Sequence, residues 1–281
     1  MRATLRLVAG VSLVVSLAAG VTPTASGQTR VPAETSDLLA SSPLGVCTSS
    51  VPAATAPTRS RIVTWNIHAA RQAPLDEIAD ELKAMQADVI ALQEVDVRVR
   101  RTGFVDEPAA LAGALGFHYV FAASIKWDEG DYGLAILSRW PITGFHRYRL
   151  DATWAVEPRI VLEATVCVAG RPLHLFNHHA DGRALSRDAG FAALKEIVKG
   201  DVGNGVLVLG DFNELADATS VRALLDTGLV DLGARQNVAT VGEGRFDYIL
   251  ADGPLASLTS PARVWTTDKS DHNAVMADLQ W

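Results

Sequence analysis

The chain has 281 residues, 48% of them hydrophobic and 20% charged, which excludes an intrinsically disordered chain and leaves room for one large domain or two small ones. A formal net charge of -7 and an aromatic content of 6% argue against a module whose main task is gripping a polyanion or stacking single-stranded nucleic acid. A nuclease stays open, because a divalent cation can supply positive charge at the site itself.

Arg2 and Arg6 precede an apolar run from Leu7 to Val21. At 1.5 Å per residue that run is short for a hydrocarbon layer of about 30 Å. Small residues follow, so residues 1–27 read as a signal peptide cleaved at Ala25-Ser26-Gly27. Ala18-Ala19-Gly20 is the alternative cleavage site, and an uncleaved anchor is the alternative reading. The expectation is a secreted or extracytoplasmic protein with no membrane span once the signal is removed. Residues 28–60, rich in Pro, Ser, Thr and Ala, read as a flexible linker, and residues 61–281 as one catalytic domain. The cysteines are Cys47 and Cys167. In an oxidising compartment they can bridge the N-terminal segment to the domain; two unpaired thiols are the alternative.

Along the domain, Arg61–Ile67 reads as a strand and Leu75, Ile78, Ala79, Leu82 and Met85 as one face of a helix. Asp88–Val95 is a buried strand ending in a polar pair, and 108–116 a short helix stopped by glycine. The stretches 118–123, 132–138, 159–168 and 172–177 read as strands. A helix over 184–199 precedes the apolar strand Val206–Leu209. A short helix near 221–227 and strands near 246–250, 263–266 and 274–279 complete an α/β chain with mixed sheets.

Polar residues abut several of these apolar runs: Asn66, Glu94, and Asp211 with Asn213. Strand ends and the loops leaving them are where a rigid scaffold presents functional groups. Buried carboxylates need a metal, a hydrogen-bond network or water, and oxygen donors of this kind suit a hard cation such as Mg²⁺. Each signal alone has a bland reading: Gly210-Asp211-Phe212-Asn213 can be a turn, and Asp271-His272 a surface dipeptide. Adjacent His178 and His179 on a strand face opposite ways, so only one can serve a given site.

Taken in order, Thr64-Trp65-Asn66, Leu92-Gln93-Glu94-Val95, Tyr132-Gly133, Ala135–Arg139, Asn177-His178-His179, Gly210-Asp211-Phe212-Asn213, Phe246-Asp247-Tyr248-Ile249 and Ser270-Asp271-His272 resemble the endonuclease/exonuclease/phosphatase superfamily of DNase I-like hydrolases. The resemblance implies a four-layer αββα sandwich of two mixed sheets and a Mg²⁺ cofactor, with Mn²⁺ as the alternative. It implies that Glu94 and Asn66 serve the metal and that Asp211 activates or orients the attacking water. Asn213 positions water or phosphate, and His179 donates to the phosphoryl group. His272, oriented by Asp271, acts as general base or charge stabiliser, and Asp247 joins the network. Arg159 and Tyr132 are candidate phosphate contacts, with a solvated strand edge the alternative for Arg159. His178-His179-Ala180 replaces the family's usual Thr-His-Leu, Leu134 stands where many relatives carry Asn, and Asp247-Tyr248 lacks the Asp-Arg pairing of inositol phosphatases. The function implied is a secreted phosphodiesterase or phosphatase acting, as a monomer, on a small molecule or lipid headgroup. A nuclease is the runner-up, with nucleic acid a partner that acidic charge disfavours. A non-catalytic binding protein on the same fold is the alternative of another class.

Overall fold

The structure, a computed structural model, describes residues 38–40, 47, 58–150, 157–168 and 170–281; the signal-peptide reading of 1–27 lies outside them. The strands are β1 (Leu38–Ala40), β2 (Arg59–Asn66), β3 (Val89–Val97), β4 (His118–Trp127), β5 (Gly130–Ser138), β6 (Ile142–Leu150), β7 (Arg159–Val168), β8 (Arg171–His179), β9 (Val206–Asp211), β10 (Leu229–Asp231), β11 (Asp247–Asp252), β12 (Arg263–Trp265) and β13 (Ala274–Gln280). The helices are α1 (Leu75–Ala84), α2 (Glu107–Leu115), α3 (Ala184–Val198), α4 (Thr219–Leu225) and the single turn α5 (Gly253–Ala256).

The strands form a seven-stranded sheet, β1-β4-β5-β3-β2-β13-β12, and a six-stranded sheet, β10-β11-β9-β8-β7-β6. Both are mixed, since β2 runs parallel to β3 and β8 parallel to β9 while their other neighbours are antiparallel. Alternation along the strands separates two kinds of apolar side chain. Ile62, Val89, Ala91, Leu173, Leu175, Leu207, Leu209, Ile249 and Val275 meet between the sheets. Val63, Trp65, Ile90 and Leu92 instead pack outward with Ile78, Leu82 and Leu111 of α1 and α2. Phe176, Val206 and Val208 pack outward with Phe191, Leu194 and Leu224 of α3 and α4. Helix, sheet, sheet, helix is therefore the layer order.

Two short pieces of the 28–60 segment belong to the fold rather than to a flexible linker. Leu38–Ala40 adds an antiparallel strand beside β4, and Arg59-Ser60 begin β2. Cys47 and Cys167 are joined in a disulfide, tying this segment to the end of β7. Strand β6 has no counterpart in the sequence reading. It is a sheet edge paired only with β7, and its sequence ITGFHRYRL mixes polar and basic residues with few apolar ones. Among the described residues no helix is long and apolar enough to cross a membrane.

Candidate active site

The inward parity of the central strands continues to their ends, and there it turns polar. On β2, Ile62 faces the inter-sheet core and Asn66, four residues on, ends the same face. On β8, Leu175 faces that core and Asn177 and His179 follow it, while Phe176 and His178 face out. On β9, Leu207 and Leu209 lead to Asp211. Asp247, at the start of β11, pairs directly with Asp211 across the antiparallel ladder, and His179 pairs with Asp211 across the parallel one. Simple alternation thus delivers Asn66, His179, Asp211 and Asp247 to one end of the sandwich.

Glu94 reaches the site by a different device. Leu92 and Val95 both pack on the outer face, and the pairing of β3 with β5 shifts register between them. The β-bulge puts Glu94 in the left-handed region, φ 55°, and turns its side chain toward Asn66. Asn213, just past β9, is likewise left-handed, φ 47°. Gly210 has φ 139°, and a Cβ there would stand 1.8 Å from the carbonyl oxygen of His178, so only glycine lets β8 and β9 pair beside the site.

Asn66 bridges the two carboxylates, its Nδ2 donating to Glu94 Oε1 at 3.0 Å and to Asp211 Oδ2 at 3.1 Å. Its Oδ1 accepts from the His68 N–H, so in this arrangement Asn66 orients the acidic side chains rather than offering them its oxygen. Asp211 Oδ1 accepts from the Asn213 N–H at 2.9 Å. Its Oδ2 lies 3.4 Å from His179 Nε2 and 3.6 Å from His272 Nε2. Just beneath, Gln93 Nε2 donates to Thr64 Oγ1 and Asn177 Oδ1, and Asn177 Nδ2 donates to the carbonyls of Leu92 and Ala135, linking the two sheets.

His272 is held by Asp247, not by its neighbour Asp271. Nδ1 of His272 is 2.9 Å from Asp247 Oδ2, whereas Asp271 is half-exposed and lies 3.4 Å from His68 Nδ1. Adjacent side chains in this loop diverge, and the partner comes from a strand 25 residues away. The His272 carbonyl accepts from Trp65 Nε1, and Ser270 Oγ donates to the Asn66 carbonyl, which fixes the loop against β2. Ser270, Gln93, Asn177 and Trp65 thus support the site; all four stand inside the recognised motifs, which was the only signal for them.

Charge is unevenly balanced here. Burial opposes the His272 imidazolium, but the Asp247 hydrogen bond and the charges of Asp247, Asp211 and Asp271 raise its pKa to about 9. Burial first, then the charge of Asp247, push Asp211 up to about 7, against His272 and the donors Asn213 and Asn66. Burial and then the Arg159 charge hold His179 well below the usual range, so it is neutral. His178 is depressed to about 4 by burial; its Nδ1 meets the Ile160 carbonyl and its ring lies among Phe191 and Phe212, a packing role.

Arg159 does not project freely into the site: its Nη1 lies 2.6 Å from Glu157 Oε1 and 3.1 Å from His179 Nδ1. Tyr132 is buried beside it, its hydroxyl pKa raised by burial and then by the charges of Glu94 and Glu157. Of the basic cluster on the loop after β3, Arg101 grips buried Asp96 with two bonds of 2.7 and 2.8 Å and lies over the Trp127 and Tyr132 rings. Arg100 pairs with Glu129. These cations already answer protein carboxylates.

The donor set suits a hard divalent cation. Glu94, Asp211 and Asp247 bring three carboxylates together, and Asp247 Oδ1 is buried without a hydrogen-bond partner. Asp211, Asp247 and His272 also present ligand atoms within 4.8 Å of one another. Within that trio His272 Nδ1 is engaged by Asp247 Oδ2 at 2.9 Å, and its Nε2 lies 3.6 Å from Asp211 Oδ2. Glu94, partly exposed, is the carboxylate with room for a cation.

The model of the Endonuclease/Exonuclease/phosphatase family matches residues 63–272, from β2 through His272. The chain belongs to this family. It is 26% identical to the uncharacterized protein YbhP of Escherichia coli over 243 residues, covering 78% of this chain and 95% of that one. Among solved structures, a family protein from Leptotrichia buccalis superposes with a TM-score of 0.65 at 19% identity, covering 79% of this chain and all of that one. The 3' phosphatase NExo from Neisseria gives 0.62 at 23% identity, and a mannosyl-6-phosphatase from Bacteroides thetaiotaomicron 0.61 at 16%; each covers 79% of this chain and all of the other. At these identities the superpositions establish the shared DNase I-like sandwich. Members of this family are usually hydrolases of phosphoric esters and generally depend on divalent metal.

Proposed function

We propose that this protein is an exported Mg²⁺-dependent hydrolase acting, as a monomer, on a phosphate ester of a small molecule or lipid headgroup. The observation that carries the reading is Asp211, buried where Asn66, Asn213, His179 and His272 all converge on its carboxylate. The disulfide between Cys47 and Cys167 supports an oxidising, extracytoplasmic location.

Asp211 accepts the proton of the attacking water; its raised pKa makes it a stronger base than an exposed aspartate. His272, with its pKa near 9, is an imidazolium at neutral pH and so stabilises the developing negative charge rather than serving as base. Asp247 holds that ring in place. His179, neutral, donates to a phosphoryl oxygen, and Asn213 orients the same oxygens or the water. Glu94, with Asn66 orienting it, would hold the cation, whose chemistry is to neutralise charge on the non-bridging oxygens; Mn²⁺ is the alternative ion.

Solved structures similar to this chain also include an AP endonuclease from Archaeoglobus fulgidus, with a TM-score of 0.61 at 20% identity, so a secreted nuclease is the second reading. Net charge and the pairing of Arg100 and Arg101 with protein carboxylates weigh against it. The test is a panel of plasmid DNA, RNA, sphingomyelin, inositol phosphates and sugar phosphates, each with Mg²⁺ and with EDTA. EDTA-sensitive turnover confined to the non-nucleic-acid substrates is expected. Cleavage of plasmid DNA at the highest rate would replace the first reading by the second, and full activity in EDTA would remove the metal.

A further inference from the structure

We propose that Arg159 is a positioning residue that fixes neutral His179 as its Nε2–H tautomer, and not a phosphate contact; this rests on the reading of His179 as a donor to the phosphoryl group. A guanidinium carries only donors. Arg159 Nη1 lies 3.1 Å from His179 Nδ1, so that ring nitrogen is the acceptor. The other hydrogen of Nη1 goes to Glu157 Oε1 at 2.6 Å, which holds the guanidinium from behind. A neutral imidazole has a single acceptor nitrogen, so with Nδ1 bare the proton sits on Nε2.

One contact tests this assignment internally. Asn213 Nδ2 lies 3.2 Å from His179 Nε2, and were both neighbours donating to the ring it would need two bare nitrogens. Asn213 Nδ2 has another acceptor, the Ala180 carbonyl at 3.1 Å. That carbonyl also fixes which end of the amide faces the ring. The 3.2 Å contact is therefore a side-by-side approach of two N–H groups, each aimed elsewhere. The His179 N–H is aimed at Asp211 Oδ2, 3.4 Å away, with Glu94 Oε1 at 4.0 Å. His179 is 5% exposed, so bulk water offers Nδ1 little competing partnership. The opposite tautomer would turn a lone pair toward the phosphoryl oxygens, opposing the anion that a donor there should bind. The Arg159 contact with His179 runs through Nη1, while its Nε is buried without a hydrogen-bond partner.

The experiment is long-range ¹H–¹⁵N NMR of the protein labelled with ¹⁵N-histidine, at neutral pH, with steady-state kinetics on bis(p-nitrophenyl) phosphate. In the parent protein His179 should show a bare Nδ1 and a protonated Nε2. In Arg159→Met the other tautomer should become populated, with kcat down by about tenfold or more and KM within about twofold. A proton on Nδ1 in the parent protein overturns the proposal, and that spectrum decides the matter even if the variant fails to fold. An unchanged tautomer in the variant, or a raised KM with unchanged kcat, overturns it in favour of a phosphate contact. The spectrum needs no turnover, so failure to hydrolyse any ester would sink the hydrolase reading while leaving the role of Arg159 separately decided.

Discussion

His272 sits between Asp247 and Asp211, and that placement gives the site a pH signature. Its folded-state pKa, about 9, lies above the ordinary histidine value. The pairing therefore contributes stability in full below about pH 6.5 and loses it as pH rises through about 9. Catalysis that requires the imidazolium should fall on the same limb. Asp247→Asn removes the strongest cause of the elevation, so the basic limb of kcat should move to lower pH, while Asp271→Asn should move it far less. A pH–rate profile of the two variants checks this, and equal shifts would return Asp271 to the role that adjacency in sequence suggests. The residue types at the site were legible because each ends an apolar run or sits in a motif. Their pairings were not, since the partner of His272 comes from β11 and that of His179 from β7. Alternation says which face a residue takes; it says nothing of which strand lies opposite.

At the level of elements, α2 carries a buried acid that the site does not use. Glu107, in its first turn, accepts the Asp96 N–H with Oε2 while Oε1 lacks a hydrogen-bond partner. Burial raises its pKa to about 8, outweighing that backbone bond. For an acid whose folded pKa is raised, the stabilising contribution is present below the unfolded value near 4.5 and is lost as pH rises through about 8. Glu107→Gln should therefore gain stability over the parent protein between pH 5 and pH 9, on the order of 1–3 kcal/mol, measured by thermal melts at both pH values. A constant difference across that range would contradict it. Gly210→Ala should instead weaken the β8–β9 pairing at any pH, because the added Cβ would strike backbone; a loss of several kcal/mol, roughly 3 or more, is expected in denaturant titrations. Strands with continuous apolar runs, such as β3 and β9, were read closely from sequence. Edge strand β1 escaped because three residues are too short to show a period, edge strand β6 because its polar and basic residues break the alternation, and the bulge at Glu94 is a register event that only the partner strand reveals.

For the whole molecule, the four layers follow from two faces of each sheet being apolar, one toward the other sheet and one toward helices. This much the family resemblance anticipated. The disulfide adds a tie across a sequence separation of 120 residues between the N-terminal segment and β7. Its removal in a Cys47→Ala, Cys167→Ala protein should lower stability by about 2–4 kcal/mol while leaving the active site assembled, since neither cysteine touches it. A protein that loses activity and keeps its melting temperature would contradict that separation. The central claim is that one end of the sandwich hydrolyses phosphate esters through Asp211 with the help of a divalent cation. It is tested most directly by the rate of p-nitrophenolate release from bis(p-nitrophenyl) phosphate in Mg²⁺, before and after EDTA, for the mature protein and for folded Asp211→Ala. Turnover that EDTA abolishes and Asp211→Ala lowers by about a thousandfold or more is the predicted result; turnover indifferent to both would contradict the account.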